Sequence, residues 1–133
     1  MKTSRIVVVF ILALVLNFVW ECLHSFLYLN YRGGPITFFI LFRASVFDAI
    51  LTTVLYLLFL KVSFLKKRLW LVLLISFFVA IAIEAYALQT GRWMYNNLMP
   101  IVPLINLGLT PLIQLPILTY LTFKIAYLCK LEK

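Results

Sequence analysis

The chain has 133 residues, 65% of them apolar and only 12% charged, against roughly 25% charged in an ordinary soluble domain. A mean hydropathy of +1.11 leaves too little polar surface to cover a water-facing globule, which excludes a soluble fold and places the chain in a bilayer as one transmembrane domain, 1–133. Twelve Lys and Arg against four Asp and Glu give a net charge of +8, but the cations are dispersed between apolar runs instead of gathered on a polar face, so no nucleic-acid partner is implied.

A helix needs roughly 20 mostly apolar residues to cross the hydrocarbon. Four such runs follow one another, at about 6–29, 37–60, 69–89 and 101–126. Lys2 and Arg5 ahead of the first run have the look of a signal peptide, but no small-residue cleavage site follows, and its removal would leave three spans with their flanking charges on the wrong sides. The run is therefore read as the first span. Asn30 to Pro35, with two glycines and a proline, break the chain after it, Lys61 to Arg68 after the second span, and Thr90 to Pro100 after the third.

Lys2, Arg5, Lys61, Lys66, Lys67, Arg68, Lys124, Lys130 and Lys133 fall at one face and only the loop residues Arg32 and Arg92 at the other. Because Lys and Arg accumulate on the cytoplasmic side, this predicts an all-α protein of the cell membrane, the inner one in a bacterium, with four antiparallel transmembrane helices and both termini in the cytoplasm. Cys22 and Cys129 then sit at opposite faces and cannot form an intrachain disulfide. Neither has His or Cys neighbours at metal-ligand spacing, and Glu21 before Cys22 argues against a lipid-modified cysteine. No metal or other cofactor is expected.

Three of the four acidic residues, Glu21, Asp48 and Glu84, lie inside predicted spans. An ionisable group there costs at least roughly 2.5 to 3.5 kcal/mol on insertion scales, so each is expected to face the bundle interior and to have a partner or a task. Arg43 is the obvious partner, although it stands about 140° around the helix from Asp48. Asn17, Glu21, His24 and Tyr28 share one stripe of the first helix, Ser45, Asp48, Thr52 and Tyr56 one of the second, and Asn106, Thr110 and Gln114 one of the fourth. Depths counted along the helices place these rows around one polar pocket between the four helices. It opens toward the outer side or laterally to lipid.

Glu21, Glu84 and Asp48 are the candidate catalytic residues. Three potential negative charges against one Arg imply that at least one carboxyl holds its proton, the condition for an intramembrane acid. Asn17, Trp20, His24, Arg43, Arg92, Trp93, Tyr95, Asn106 and Gln114 are the candidate substrate contacts. Each has a plainer reading. Asn, Thr and Gln act as hydrogen-bond glue between membrane helices, a Glu–Arg pair can lock a bundle, and Arg92, Trp93 and Tyr95 suit an interfacial aromatic belt. Trp20, beside Glu21, either lines a pocket for an extended apolar ligand or faces lipid. Pro103, Pro111 and Pro116 make the fourth helix irregular.

A short internal repeat is visible: Glu21 with Gly33 and Pro35 matches Glu84 with Gly91 and Pro100. Both halves start on the same side, so the repeat is parallel, with a pseudo-twofold along the membrane normal. The stretch from Glu84 through Thr90, Gly91, Trp93 and Tyr95 to Pro100 resembles an element of membrane carotenoid-modifying proteins, the carotenoid hydratase and the heterodimeric type of lycopene cyclase. Asn17-Phe18-Val19-Trp20-Glu21 is similar to the Asn-x-x-Trp-Glu element of integral-membrane terpene cyclases. The resemblance implies a carboxylic acid that protonates an alkene or epoxide, and it points at Glu21 and Glu84 as acid or base. Where the cyclase type carries a Pro-x-Glu-Glu run, this chain reads Thr110-Pro111-Leu112-Ile113-Gln114 and has no carboxylate.

Two functions follow as expectations. One is a small enzyme that binds or acts on a membrane lipid, isoprenoid-like or other, by acid/base chemistry. The other is a non-enzymatic subunit, assembly factor or small lipid carrier whose buried charges hold the bundle. In either, the small size leaves room for self-assembly or a partner membrane subunit.

Overall fold

A computed structural model describes residues 3–128. The order is α1 (Thr3–His24), one 3-10 turn (Ser25–Leu27), β1 (Tyr28–Tyr31), α2 (Phe38–Lys61), the one-turn α3 (Ser63–Lys66), α4 (Leu71–Gln89), β2 (Trp93–Tyr95), β3 (Ile101–Val102), β4 (Leu107–Gly108) and α5 (Leu109–Leu128). The chain is mostly helical, and four helices are long and apolar enough to cross a membrane: Thr3–Leu27, Phe38–Lys61, Leu71–Gln89 and Leu109–Ala126. Lys2, Lys130, Lys133 and Cys129 of the sequence reading lie outside the described residues.

Local chemistry explains the helix ends. Gly91 stands at φ +68° just past α4, its N–H bonded to the Leu88 carbonyl and that of Arg92 to Ala87, the paired bonds by which a left-handed glycine closes a helix. Arg32 and Gly33, at φ 49° and 76°, form a two-residue hairpin turn in which Tyr31 and Gly34 exchange both backbone bonds. Thr37 then caps α2, its hydroxyl accepting from the Ile40 N–H at 3.3 Å. The two inter-helix loops on this side are tied together. β1 and β2 pair antiparallel, with Tyr28 opposite Tyr95 and Tyr31 opposite Trp93.

The fourth span is shorter than its apolar run. Residues 101–108 do not begin a helix but form a second hairpin, Ile101 opposite Gly108 and Val102 opposite Leu107. Pro100 and Pro103 supply no N–H, and the chain reverses through left-handed Leu104 and Asn106, at φ 76° and 55°. Hydropathy marked these residues as a span although their backbone cannot be helical. Likewise α1 stops at His24, and Tyr28 belongs to a strand.

α1 packs against α2 and α5, and α4 packs against α5. At the end away from the hairpins the bundle is tight: Phe123, fully buried, lies edge-on to Tyr56 and Phe59, over Val9, Val72 and Ala126. Thr52 of α2 and Thr119 of α5 meet at 3.2 Å above this cluster. Leu23, Phe38, Phe39 and Phe78 stand exposed on the outside, the inverse of a water-soluble fold. Inside, Ser45, Thr53, Ser76 and Thr122 each return their hydroxyl proton to a carbonyl of their own helix, so small polar groups enter the bundle without stranded donors.

Candidate functional site

Toward the hairpin end the packing gives way to a polar network. Gln114 on α5 sits at its centre. Its amide nitrogen lies 2.9 Å from Glu21 Oε1, 3.1 Å from Asn17 Oδ1 and 3.2 Å from Asp48 Oδ2. Asn17 is oriented by its own amide, which donates to the Ala13 carbonyl at 2.8 Å. The Gln114 amide carries two protons for three oxygens, so a proton held on Glu21 or Asp48 completes the set.

The other oxygen of Glu21, Oε2, lies 3.2 Å from His24 Nε2, one helical turn along α1. His24 Nδ1 meets the Thr110 hydroxyl at 3.0 Å, and Thr110 also reaches Met99 Sδ at 3.4 Å. The hydroxyl has a single proton. Given to Met99, it leaves Thr110 to accept from a doubly protonated imidazole; given to Nδ1, it fixes the neutral ring with its remaining proton toward Glu21. The row Thr110–His24–Glu21 thus has two arrangements that differ by a rotation of the Thr110 hydroxyl and by one proton on the imidazole.

Glu84, buried on α4, is served from the hairpin. Trp93 Nε1 and the Tyr95 hydroxyl both donate to its Oε2, at 3.2 and 2.5 Å, and Tyr95 in turn accepts the Gly108 N–H at 3.1 Å. Glycine at 108 makes room for this contact, since a Cβ there would stand 2.9 Å from both Met99 Sδ and Tyr95 Cζ and the Tyr95 ring would have to shift. The β1–β2 pairing brings the Tyr28 ring between His24 and Tyr95, joining the Glu21 and Glu84 ends.

Tyr28 holds its proton well above the ordinary phenol value of 10.0, first through burial and then through the negative charge of Glu84 and Glu21; Tyr95 is raised by burial first and Glu84 second. Both phenols bind their protons more tightly folded than unfolded. Their contribution to stability is therefore complete below pH 10.0 and is lost as the pH climbs through the raised values. In an alkaline titration of tyrosinate absorbance these two are expected to stay silent while exposed tyrosines ionise, and to appear only with unfolding. Ionisation of all seven tyrosines in one step near pH 10.0 without unfolding would contradict the geometry.

Beside the network lies a cavity of about 850 Å³, within the range of drug-sized sites. It occupies the gap between α2 and α4, which do not pack along their length. The helix packing accounts for its position. α1 packs on α2, α4 packs on α5 and α1 packs on α5, whereas α4 and α2 do not close against each other. Phe39, Ile40, Phe42 and Phe47 of α2 and Ile83 of α4 give apolar walls; Glu21, Asp48, Glu84 and Gln114 reach the cavity from the network, and Arg43, Arg92 and Trp93 line it as well.

Seven of the twelve candidate residues thus share the cavity. Asn17, His24 and Tyr95 support it from behind. Trp20 lies edge-on to His24 at 6.2 Å between ring centroids and does not line the cavity; its Nε1 is buried without a partner. Asn106 corrects the sequence reading: it is exposed in the β3–β4 turn and extends no helical row with Thr110 and Gln114. Arg43 is a second correction. Among the described residues it pairs with no carboxylate but donates to the Tyr31 hydroxyl at 3.4 Å and lies 5.9 Å from the Phe39 ring centroid, because its side chain extends toward the hairpin end and not sideways to Asp48. Trp93 and Tyr95 are turned inward onto Glu84, where an interfacial belt alone would have left them outside. Among the described residues no three His, Cys, Asp or Glu converge as a metal site. Tyr31 and Gly108 were missed. The strand-like Tyr28 to Tyr31 ahead of an Arg-Gly-Gly turn is the signal that could have found the first. Compared with family models, curated proteins and solved structures, the chain matches none, so the carotenoid and terpene resemblance stands on the quoted residues alone.

Proposed function

We propose that this is a multi-pass protein of the cell membrane, its four helices antiparallel and both termini cytoplasmic, that takes an isoprenoid-like lipid between α2 and α4 and acts on it by acid/base chemistry. The orientation is supported by Arg5, Lys61, Lys66, Lys67, Arg68 and Lys124 at one end against Arg32 and Arg92 at the hairpin end. The observation that carries the chemistry is the convergence of three carboxyls on a cavity with apolar walls. Such a cavity selects a chain without polar groups, and its carboxyls offer that chain little but a proton. A carboxylic acid at Glu84 or Glu21 gives its proton to an alkene carbon and is left as carboxylate. Asp48, or the first carboxylate, takes a proton from the carbon next to the cation, so the bond is moved or a ring closed with no net change in protons.

The test is mass spectrometry of lipids from isoprenoid-rich cells carrying the wild type, Glu21→Gln, Glu84→Gln, the double variant or an empty vector. A species formed or consumed only with wild type is expected, with turnover down about 10²- to 10⁴-fold in at least one single variant at equal expression. Full activity in both would overturn the reading. The Gln114 hub favours a second reading, in which the carboxyls lock a non-enzymatic bundle; the same variants would then lose thermal stability and leave the lipid profile of wild-type cells identical to that of the empty vector.

A further inference from the structure

Arg43 lies five residues into α2, inside the span, and among the described residues it has no carboxylate within ion-pair distance. Its guanidinium bonds the Tyr31 hydroxyl at 3.4 Å, Tyr31 pairs with Trp93 next to Arg92, and the Arg32 N–H bonds the Arg92 carbonyl at 2.8 Å. Arg43, bonded to the hairpin through Tyr31, and Arg92, beside β2, both line the cavity. Among the described residues no carboxyl lies within ion-pair distance of either. Glu21 is engaged by His24 and Gln114, Asp48 by Gln114, and Glu84 by Trp93 and Tyr95. Below the arginines the walls are apolar, at Phe39, Ile40, Phe42 and Phe47.

A cation pair over an apolar slot is complementary to a molecule with an anionic head and a long apolar tail. A free anion would leave the slot empty, and a neutral lipid would leave the charges unanswered. Guanidinium groups present planar donor forks that match phosphate oxygens. We propose that the cavity takes a lipid phosphate, its headgroup held between Arg43 and Arg92 and its chain running down between α2 and α4 toward Glu21, Asp48 and Glu84. This rests on the lipid-cavity reading above and names the class of lipid.

The experiment titrates the full-length protein, in neutral detergent, with geranylgeranyl phosphate, geranylgeraniol and inorganic phosphate, following fluorescence of Trp93 at the cavity wall and checking occupancy by native mass spectrometry. The lipid phosphate is expected to bind about tenfold or more tighter than the alcohol. Inorganic phosphate in large excess should not displace it. In Arg43→Gln/Arg92→Gln that preference should vanish while affinity for the alcohol persists. If the double variant does not fold, Arg43→Lys and Arg92→Lys, which keep charge but lose the fork, should each reduce the preference severalfold. Equal affinity for phosphate and alcohol, or a preference unchanged by the arginine variants, would overturn the headgroup proposal and leave the lipid cavity standing. Binding of neither lipid would overturn both, and displacement by inorganic phosphate would reduce the site to one for a free anion.

Discussion

Gln114→Leu is expected to be the most destabilising conservative change in the chain. One amide nitrogen faces Asn17 Oδ1, Glu21 Oε1 and Asp48 Oδ2, and leucine, close in volume, supplies no donor to any of them. Interhelical hydrogen bonds in membrane proteins average about 0.6 kcal/mol each, whereas a buried acceptor stranded without a partner costs about 1–3 kcal/mol. Three acceptors facing one another place the total at about 2–4 kcal/mol, read as a lowered unfolding midpoint in detergent. Asn17→Leu should cost less, because it removes one of those acceptors together with an amide whose bond stays within its own helix. Equal midpoints for wild type and Gln114→Leu would show that the three oxygens do not depend on the amide.

Much of this was legible because membrane helices obey simple rules. Runs of apolar residues give the four spans within a few residues except at the fourth, and the three acidic residues in those runs all line the cavity. The i, i+4 spacing of Asn17 and Glu21 puts both on one face of α1, and the structure sets that face against Gln114. What failed was whatever depended on backbone conformation outside helices. Hydropathy averages over side chains and is blind to the missing N–H of Pro103 and the left-handed Leu104 and Asn106, so a hairpin was read as the start of a span. The same blindness hid the β1–β2 pairing, which turns Trp93 and Tyr95 onto Glu84. Arg43 was misjudged for another reason: opposite charge suggested a partner, while its angular position and long side chain favoured the hairpin end.

Filling the gap between α2 and α4 should separate stability from function more sharply than any change to the polar groups. Ala44 lines the cavity, and phenylalanine there would enter open space instead of displacing packed atoms. Apolar bulk inserted into a void gains dispersion contacts and breaks no hydrogen bond, so the unfolding midpoint of Ala44→Phe is expected to hold or rise. Lipid binding, by contrast, should weaken by about 100-fold, equivalent to about 2.7 kcal/mol, because the ring occupies the path of the chain. Ala49, fully buried one turn further along α2, is the control: phenylalanine there overpacks a closed interior, which typically costs about 1–3 kcal/mol. Unfolding midpoints and lipid titrations on the two variants should therefore move in opposite senses, the first keeping its fold and losing its ligand, the second losing fold and ligand together. If Ala44→Phe bound lipid like the wild type, the cavity would be only a packing defect and the carboxyls would act as the bundle's lock.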